Sequence, residues 1–205
     1  RVLAEKIGLP GFDNMTRALT HLDMEERATY CATYWRGQFE RVCTVEFDRD
    51  RKMMSVLAKR KGQSILFTKG SPEAIMRRCT QVLTNSKGVA EPITSQLREI
   101  LMEKYQTYAR KSLRVLALAM RPLISEQDCA CVEDEDGLTL LGFCGMVDPP
   151  RPEVKKAVDV CRGAGIRVVM VTGDNKLTAE AVANHVGLDD VMGGGSHPTT
   201  SILAR

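Results

Sequence analysis

Long hydrophobic runs are missing from this sequence. None approaches the roughly 18–20 apolar residues that a helix needs to cross a bilayer, which leaves no membrane span among these residues. No signal-peptide pattern opens the chain. It starts on "RVLAEKIGLP" without a Met, as a piece cut from something longer would. No C-x-x-C pair occurs among the seven cysteines, and Cys129-Ala130-Cys131 lacks a His or Cys partner at a metal-like spacing. An odd number of thiols, most of them in apolar or periodic segments, predicts reduced, mostly buried cysteines in a cytosolic compartment. Charge of one sign is scarce as well. With 29 basic and 26 acidic side chains the net charge is +3, which suits an anionic ligand and is too weak for a nucleic-acid partner. There is no internal repeat.

What remains is an ordinary globular composition, 43% hydrophobic and 27% charged over 205 residues. That is enough for one large domain, or one domain and part of another. Residues 1–38 are predicted helical with a break at Gly8-Leu9-Pro10-Gly11, and Ala18, Leu22, Ala28 and Cys31 are roughly helix-spaced. From Phe39 onward "FERVCTVEF", a polar "DRDR" turn and "KMMSVLA" predict a hairpin, with "SILFTK" (64–69) as a third strand. Ser71-Pro72-Glu73 is a helix start, with Ser as N-cap and Pro at the first position, and Ile75, Cys79, Val82 and Leu83 would share its face. A second helix is predicted from Thr94, with Leu97, Ile100, Leu101, Lys104, Tyr105 and Tyr108 on one stripe. "LRVLALAM" (113–120) and "LTLLGFCGMV" (138–147) are predicted strands on either side of an acidic loop.

The pattern changes at Asp148-Pro149-Pro150-Arg151-Pro152, where three prolines in four residues make a rigid connector. A helix (153–162), glycine stops, a strand (166–171) and a helix to about Val186 follow, an α-β-α piece of a parallel sheet. The segments are therefore 1–147, the connector 148–152, 153–188, and an aperiodic tail 189–205 expected to be flexible. The fold class is α+β, an antiparallel sheet with flanking helices, followed by a partial Rossmann-like α/β segment.

Four places carry candidate chemistry. The "VTGDNK" loop puts Thr172, Gly173 and Asp174 between a strand end and a helix, where α/β proteins hold phosphate; an ordinary turn uses the same residues. Phe47 precedes Arg49 and Lys52 at the hairpin tip, where a ring can stack an adenine and cations can meet phosphates; a core Phe before a solvated turn has the same sequence. Lys69 ends an apolar strand, followed by Gly70 and a capped helix start that favours anions, or it merely snorkels off the strand. Arg114 is a cation in an apolar strand, facing either a pocket or the surface.

In order and context these motifs resemble the P-type cation-transporting ATPases, the sarco/endoplasmic-reticulum-type calcium pumps in particular. The matching segments are "EFDRDRKMMSV" (46–56), "FTKGSPEAIMRRCT" (67–80), "SLRVLALA" (112–119), "GFCGMVDPPRPEV" (142–154) and "CRGAGIRVVMVTGDNKLTAEAV" (161–182). They cover about Val2 to Leu188, and the "FDRDRK" form is what points to the endoplasmic-reticulum type. The resemblance implies that 1–147 is most of a nucleotide-binding domain, 148–152 a hinge, and 153–188 part of a haloacid-dehalogenase-like phosphorylation domain. It implies that Phe47 stacks on adenine, that Arg49 and Lys52 are cations near the phosphates, and that Lys69 and Gly70 line the adenine pocket. Arg114 would contact the phosphate chain, and Thr172, Gly173 and Asp174 would receive the transferred phosphoryl group.

The implied ligand is ATP with Mg²⁺, the implied partner the remainder of the same pump, and the implied place the cytosolic side of an endoplasmic-reticulum membrane protein. The family's Asp-Lys-Thr-Gly-Thr segment, which carries the phosphorylated aspartate, does not occur here, nor does its Gly-Asp-Gly-x-Asn-Asp segment for Mg²⁺. The resemblance therefore implies an ATP grip without the acceptor, and no resident metal site. Ser71 stands where the family usually has Ala, and 189–205 do not match. Two other readings are a soluble phosphatase of the same superfamily, for which no Asp-x-Asp loop follows a strand, and a non-catalytic regulatory remnant of a pump.

Overall fold

Burial alternates residue by residue along three neighbouring strands of the sheet that dominates the described residues. A computed structural model describes residues 2–9, 21–84, 88–147, 149–172, 176–188 and 200–204. Seven strands, β1 (Glu40–Asp48), β2 (Met53–Arg60), β3 (Gln63–Gly70), β4 (Cys79–Leu83), β5 (Ala90–Pro92), β6 (Leu113–Pro122) and β7 (Leu138–Val147), form one sheet in the order β1-β2-β3-β6-β7-β4-β5. Every pairing in it is antiparallel except β4 with β7.

On β2, Met53, Ser55 and Leu57 are buried; on β3, Ser64, Leu66, Thr68 and Gly70; on β6, Val115, Ala117 and Ala119. The residues between them are half-buried or exposed, so one face is covered and the other partly open, as period-two side-chain alternation dictates. Helices α4 (Pro72–Arg78) and α5 (Ser95–Arg110) flank the covered face. Met53, Ile75, Met76, Ala117, Leu138 and Leu140 make the main core there.

The helix start at Ser71 is present, and its side chain accepts the Ala74 N–H. Thr94 likewise caps α5 through the Leu97 N–H at 3.2 Å. The predicted continuation of α4 through Cys79, Val82 and Leu83 is corrected. The helix ends at Arg78, and Cys79–Leu83 is strand β4, paired in parallel with β7. A short apolar run has no decisive period of its own, and the open edge of β7 supplies the backbone partners. On α5, Tyr105 and Ala109 are the buried residues, whereas Ile100 and Lys104 of the predicted stripe are exposed.

At the amino end, α1 (Val2–Ile7), α2 (Met24–Arg27) and α3 (Tyr30–Gln38) are the predicted helical segments, and the break after α1 falls at Gly8 as predicted. Gly8 ends α1 in the left-handed region at φ 79°. Ala18 lies outside the described residues, Leu22 precedes α2 and Ala28 is its exposed C-cap, so among the described residues of the predicted face only Cys31 is buried. The α1 residue Glu5 accepts the N–H groups of Cys31 (3.0 Å) and Ala32 (2.9 Å), an acid at a helix start supplied from another element.

The carboxy part contains α6 (Glu153–Gly163), β8 (Val168–Thr172) and α7 (Lys176–His185). The tail read as flexible includes a strand, β9 (Thr200–Ala204), parallel to β8. A groove of about 430 Å³ between these elements is lined by Pro149, Val154, Val158, Met170 and Val186, among others. Val171 on β8 is 65% exposed.

All seven cysteines are free thiols, but the prediction that most are buried is corrected. Cys31 and Cys79 are buried, Cys43, Cys144 and Cys161 are partly so, and Cys129 and Cys131 are exposed on the acidic loop. Burial pushes the Cys79 thiol up to about 12. The neighbouring carboxylates, Glu133 first and then Asp134, raise Cys131. The thiolate is the nucleophile, so alkylation of the native protein near pH 7.5 is expected to modify Cys129 before Cys131 and to spare Cys79 until denaturant is added. Peptide mass mapping over time checks the order.

Candidate functional site

The open face of the sheet collects three of the predicted binding residues, Phe47, Lys69 and Arg114. Lys69 pairs with Met54 on one side and Leu118 on the other, so all three lie on the same face. Arg114 is four residues before Leu118 on β6, hence also on that face and about 13 Å further along at ~3.3 Å per residue. Phe47 reaches it from β1 through an irregularity between Val45 and Asp48, after which Asp48 pairs with Met53. A bulge shifts the alternation by one, which places Phe47 with Met54 and Lys69. Its ring is 59% exposed at the strand end, which excludes the alternative of a core phenylalanine.

The hairpin tip sorts its charges in a way the sequence does not show. Asp48 Oδ1 accepts the N–H groups of Asp50 and Arg51, both at 2.9 Å, and closes the turn. Chiefly the Arg51 N–H, with help from Asp50, holds the Asp48 carboxyl below the usual carboxylate range. Arg51 folds inward, pairing with the buried Glu135 and donating to the Glu46 carbonyl at 2.6 Å. Arg49 and Lys52 remain exposed. Lys52 takes φ 54°, a left-handed conformation that costs a non-glycine residue about 1–2 kcal/mol.

Lys52 and Gly70 are held against each other. The Lys52 carbonyl accepts the Ser71 N–H at 2.9 Å. A Cβ at Gly70 would lie 2.5 Å from that oxygen, and 2.6 and 2.8 Å from Met53 Cβ and Cα. Gly70 is therefore required for space, and its absent side chain lets the two arms of the site close. Lys69 itself is exposed and directed to the same open face as Phe47.

At the far end of that face, Phe67 on β3 meets Phe39 edge-on at 5.6 Å between ring centroids, and the Arg60 guanidinium lies 5.1 Å from the Phe39 ring centre. This aromatic group covers its part of the face and leaves Phe47 and Lys69 accessible.

Thr172 ends β8, in a different sheet from these residues. Gly173 and Asp174 lie outside the described residues, as does Asp148 of the connector. Among the described residues no group of three or more His, Cys, Asp or Glu is placed to hold a metal ion, and no helix is long and apolar enough to cross a membrane.

Glu135 is the residue that sequence reading misses. In "VEDEDG" it looks like one more solvated acid, yet its side chain is 0% exposed. The loop around it is clamped by Arg121, which donates to the carbonyls of Asp134 (3.1 Å) and Asp136 (3.0 Å). No local pattern separates Glu135 from Glu133, Asp134 or Asp136; only the fold brings it against β2.

Known proteins give the same picture. "Calcium-transporting ATPase 3, endoplasmic reticulum-type" of Arabidopsis thaliana is 47% identical over 190 residues, 93% of this chain and 19% of that protein. "Endoplasmic reticulum calcium ATPase srcA" of Aspergillus fumigatus is 37% identical over 198 residues, covering 92% and 20%. "Calcium-transporting ATPase 1" of Lactococcus lactis is 36% identical over 153 residues, covering 75% and 17%. The chain thus spans about a fifth of the length of these relatives. The family described as P-type ATPase, cytoplasmic domain N, matches residues 3–153, the span that holds the seven-stranded sheet. With that match and these relatives, the chain belongs to the P-type ATPases.

Proposed function

We propose that this chain binds ATP as the cytosolic nucleotide-binding part of an endoplasmic-reticulum-type calcium-transporting pump. The observation that carries the reading is the placement of exposed Phe47 and Lys69 on one open sheet face, beside a glycine whose missing Cβ lets β3 pack tightly against the start of β2. Phe47 offers a π-face to adenine. Lys69 supplies a positive charge in the same pocket, and Arg49, Lys52 and Arg114 supply cations for the phosphate chain. Arg114 already has an interaction within the protein, so ATP would share it.

The 148–152 connector would act as the hinge that carries the γ-phosphate to an aspartate outside this sequence. Thr172, Gly173 and Asp174 would contribute one wall of the phosphoryl site there. Catalysis of this kind rests on positioning and charge neutralisation; Mg²⁺, held by residues beyond those described, would neutralise the phosphates. The apolar groove lined by Val158 and Met170 and the exposed Val171 fit a segment that belongs against further parts of a phosphorylation domain. The chain alone is expected to bind nucleotide without hydrolysing it, and the complete pump to move Ca²⁺ at the expense of an aspartyl phosphate.

Titration calorimetry with ATP tests the binding. Phe47→Ala and Lys69→Ala are each expected to weaken ATP about tenfold, as loss of a contact worth ~1–3 kcal/mol does. A folded wild-type chain that ignores ATP, or binding untouched by both substitutions, would overturn the reading.

A further inference from the structure

The buried carboxylate of Glu135 holds two side chains, those of Arg51 and Ser55, which lead to the strands that carry Phe47 and Lys69. Its Oε2 pairs with Arg51, whose other terminal nitrogen donates to the carbonyl of Glu46, the residue before Phe47. Its Oε1 accepts the Ser55 hydroxyl at 2.7 Å, and Ser55 Oγ lies 2.9 Å from Thr68 Oγ1. Thr68 is the residue before Lys69. Ser55 and Thr68 are 0% and 2% exposed, so the network lies under the sheet while Phe47 and Lys69 face outward above it.

Stability alone does not explain such an arrangement. Replacing a buried ion pair by apolar groups of similar volume is often neutral or stabilising, and in some proteins buried polar groups serve instead to specify one geometry. Here the geometry specified is that of two exposed side chains on β1 and β3, with β2 between them. A stacking ring and a cation gain affinity when they are held in place before the ligand arrives.

We propose that Glu135 is a positioning residue for nucleotide: through Arg51 and Glu46 on one side, and Ser55 and Thr68 on the other, it fixes Phe47 relative to Lys69. The inference rests on the ATP-binding reading above. Arg51 thereby becomes a strut, and the cations left for the phosphates are its neighbours Arg49 and Lys52.

Glu135→Gln in the full 205-residue chain tests it, because Gln keeps the size and an acceptor for Ser55 but removes the charge facing Arg51. Two readouts go together: calorimetric ATP affinity, and the ¹⁹F NMR signal of 4-fluorophenylalanine placed at position 47 in the unliganded protein. The expected result is ATP binding weakened about five- to tenfold, with the fluorine line shifted or broadened and far-UV circular dichroism unchanged. In a Phe47→Ala background Glu135→Gln should lose most of its effect, since residues acting through one another are non-additive.

Wild-type affinity and an unmoved fluorine signal in Glu135→Gln would overturn the proposal. So would a loss fully additive with Phe47→Ala and with Lys69→Ala. Should Glu135→Gln fail to fold, Glu135→Asp keeps the charge but shortens its reach; it is expected to fold, move the fluorine line and weaken ATP, and wild-type behaviour from it would count against the proposal. If the wild-type chain itself does not bind ATP, the nucleotide reading fails, and the fluorine signal still decides whether Glu135 orients Phe47.

Discussion

Gly70→Ala is expected to lower the stability of the chain by about 3 kcal/mol, the top of the usual range for overpacking, and to weaken ATP more than any single side-chain truncation in the site. The added methyl carbon would meet the Lys52 carbonyl oxygen at 2.5 Å and Met53 Cα at 2.8 Å. These are backbone atoms, so no rotamer change relieves the contact. Either β3 moves away from the start of β2, breaking the Ser71 N–H to Lys52 carbonyl bond, or the Lys52 turn opens. In both cases Lys69 and the hairpin tip separate. Urea unfolding gives the stability and calorimetry the affinity. A Gly70→Ala protein of wild-type stability and affinity would mean that the two arms are not packed as described.

Ile75→Ala is expected to cost about 3–4 kcal/mol, within the range for truncating a buried Ile where neighbours cannot collapse, yet to leave ATP affinity of the folded chain within about twofold. Ile75 is fully buried and belongs to the core with Met53, Ala117, Leu138 and Leu140. It holds α4 down on the covered face, on the opposite side of the sheet from Lys69. A destabilisation of 3 kcal/mol in a chain of this size lowers the melting temperature by roughly 6–12 °C. Thermal denaturation followed by circular dichroism reads the first effect, and ATP titration well below the transition reads the second. The pair of variants separates a residue that shapes the site from one that only holds the sheet together.

Strand and helix positions were largely legible because their causes are local. The β-branched and aromatic run before the polar "DRDR" turn, the Ser71-Pro72 helix start and the Thr94 cap all act within a turn or two of the chain, and the structure has each of them. Cys79–Leu83 was misread as helix because its apolar spacing fits either period, and the deciding factor is its pairing with β7, more than fifty residues on. The helical character of the α1–α3 region and its break at Gly8 were legible, but the tether from Glu5 to the start of α3 was not, because it crosses a separation that no local pattern encodes.

For the site, the residue types were visible and their division of labour was not. Residue identity alone tells which side chains are available, Phe47, Arg49, Lys52, Lys69, Gly70 and Arg114, because aromatic, cationic and glycine positions at strand ends are local chemical facts. That Arg51 turns inward, that Gly70 is needed for clearance, and that Glu135 alone among the acids of its loop is buried follow from packing between distant segments. Each of these depends on segments far apart in the chain meeting at atomic distance, and burial is a property of the packed whole rather than of any window of sequence.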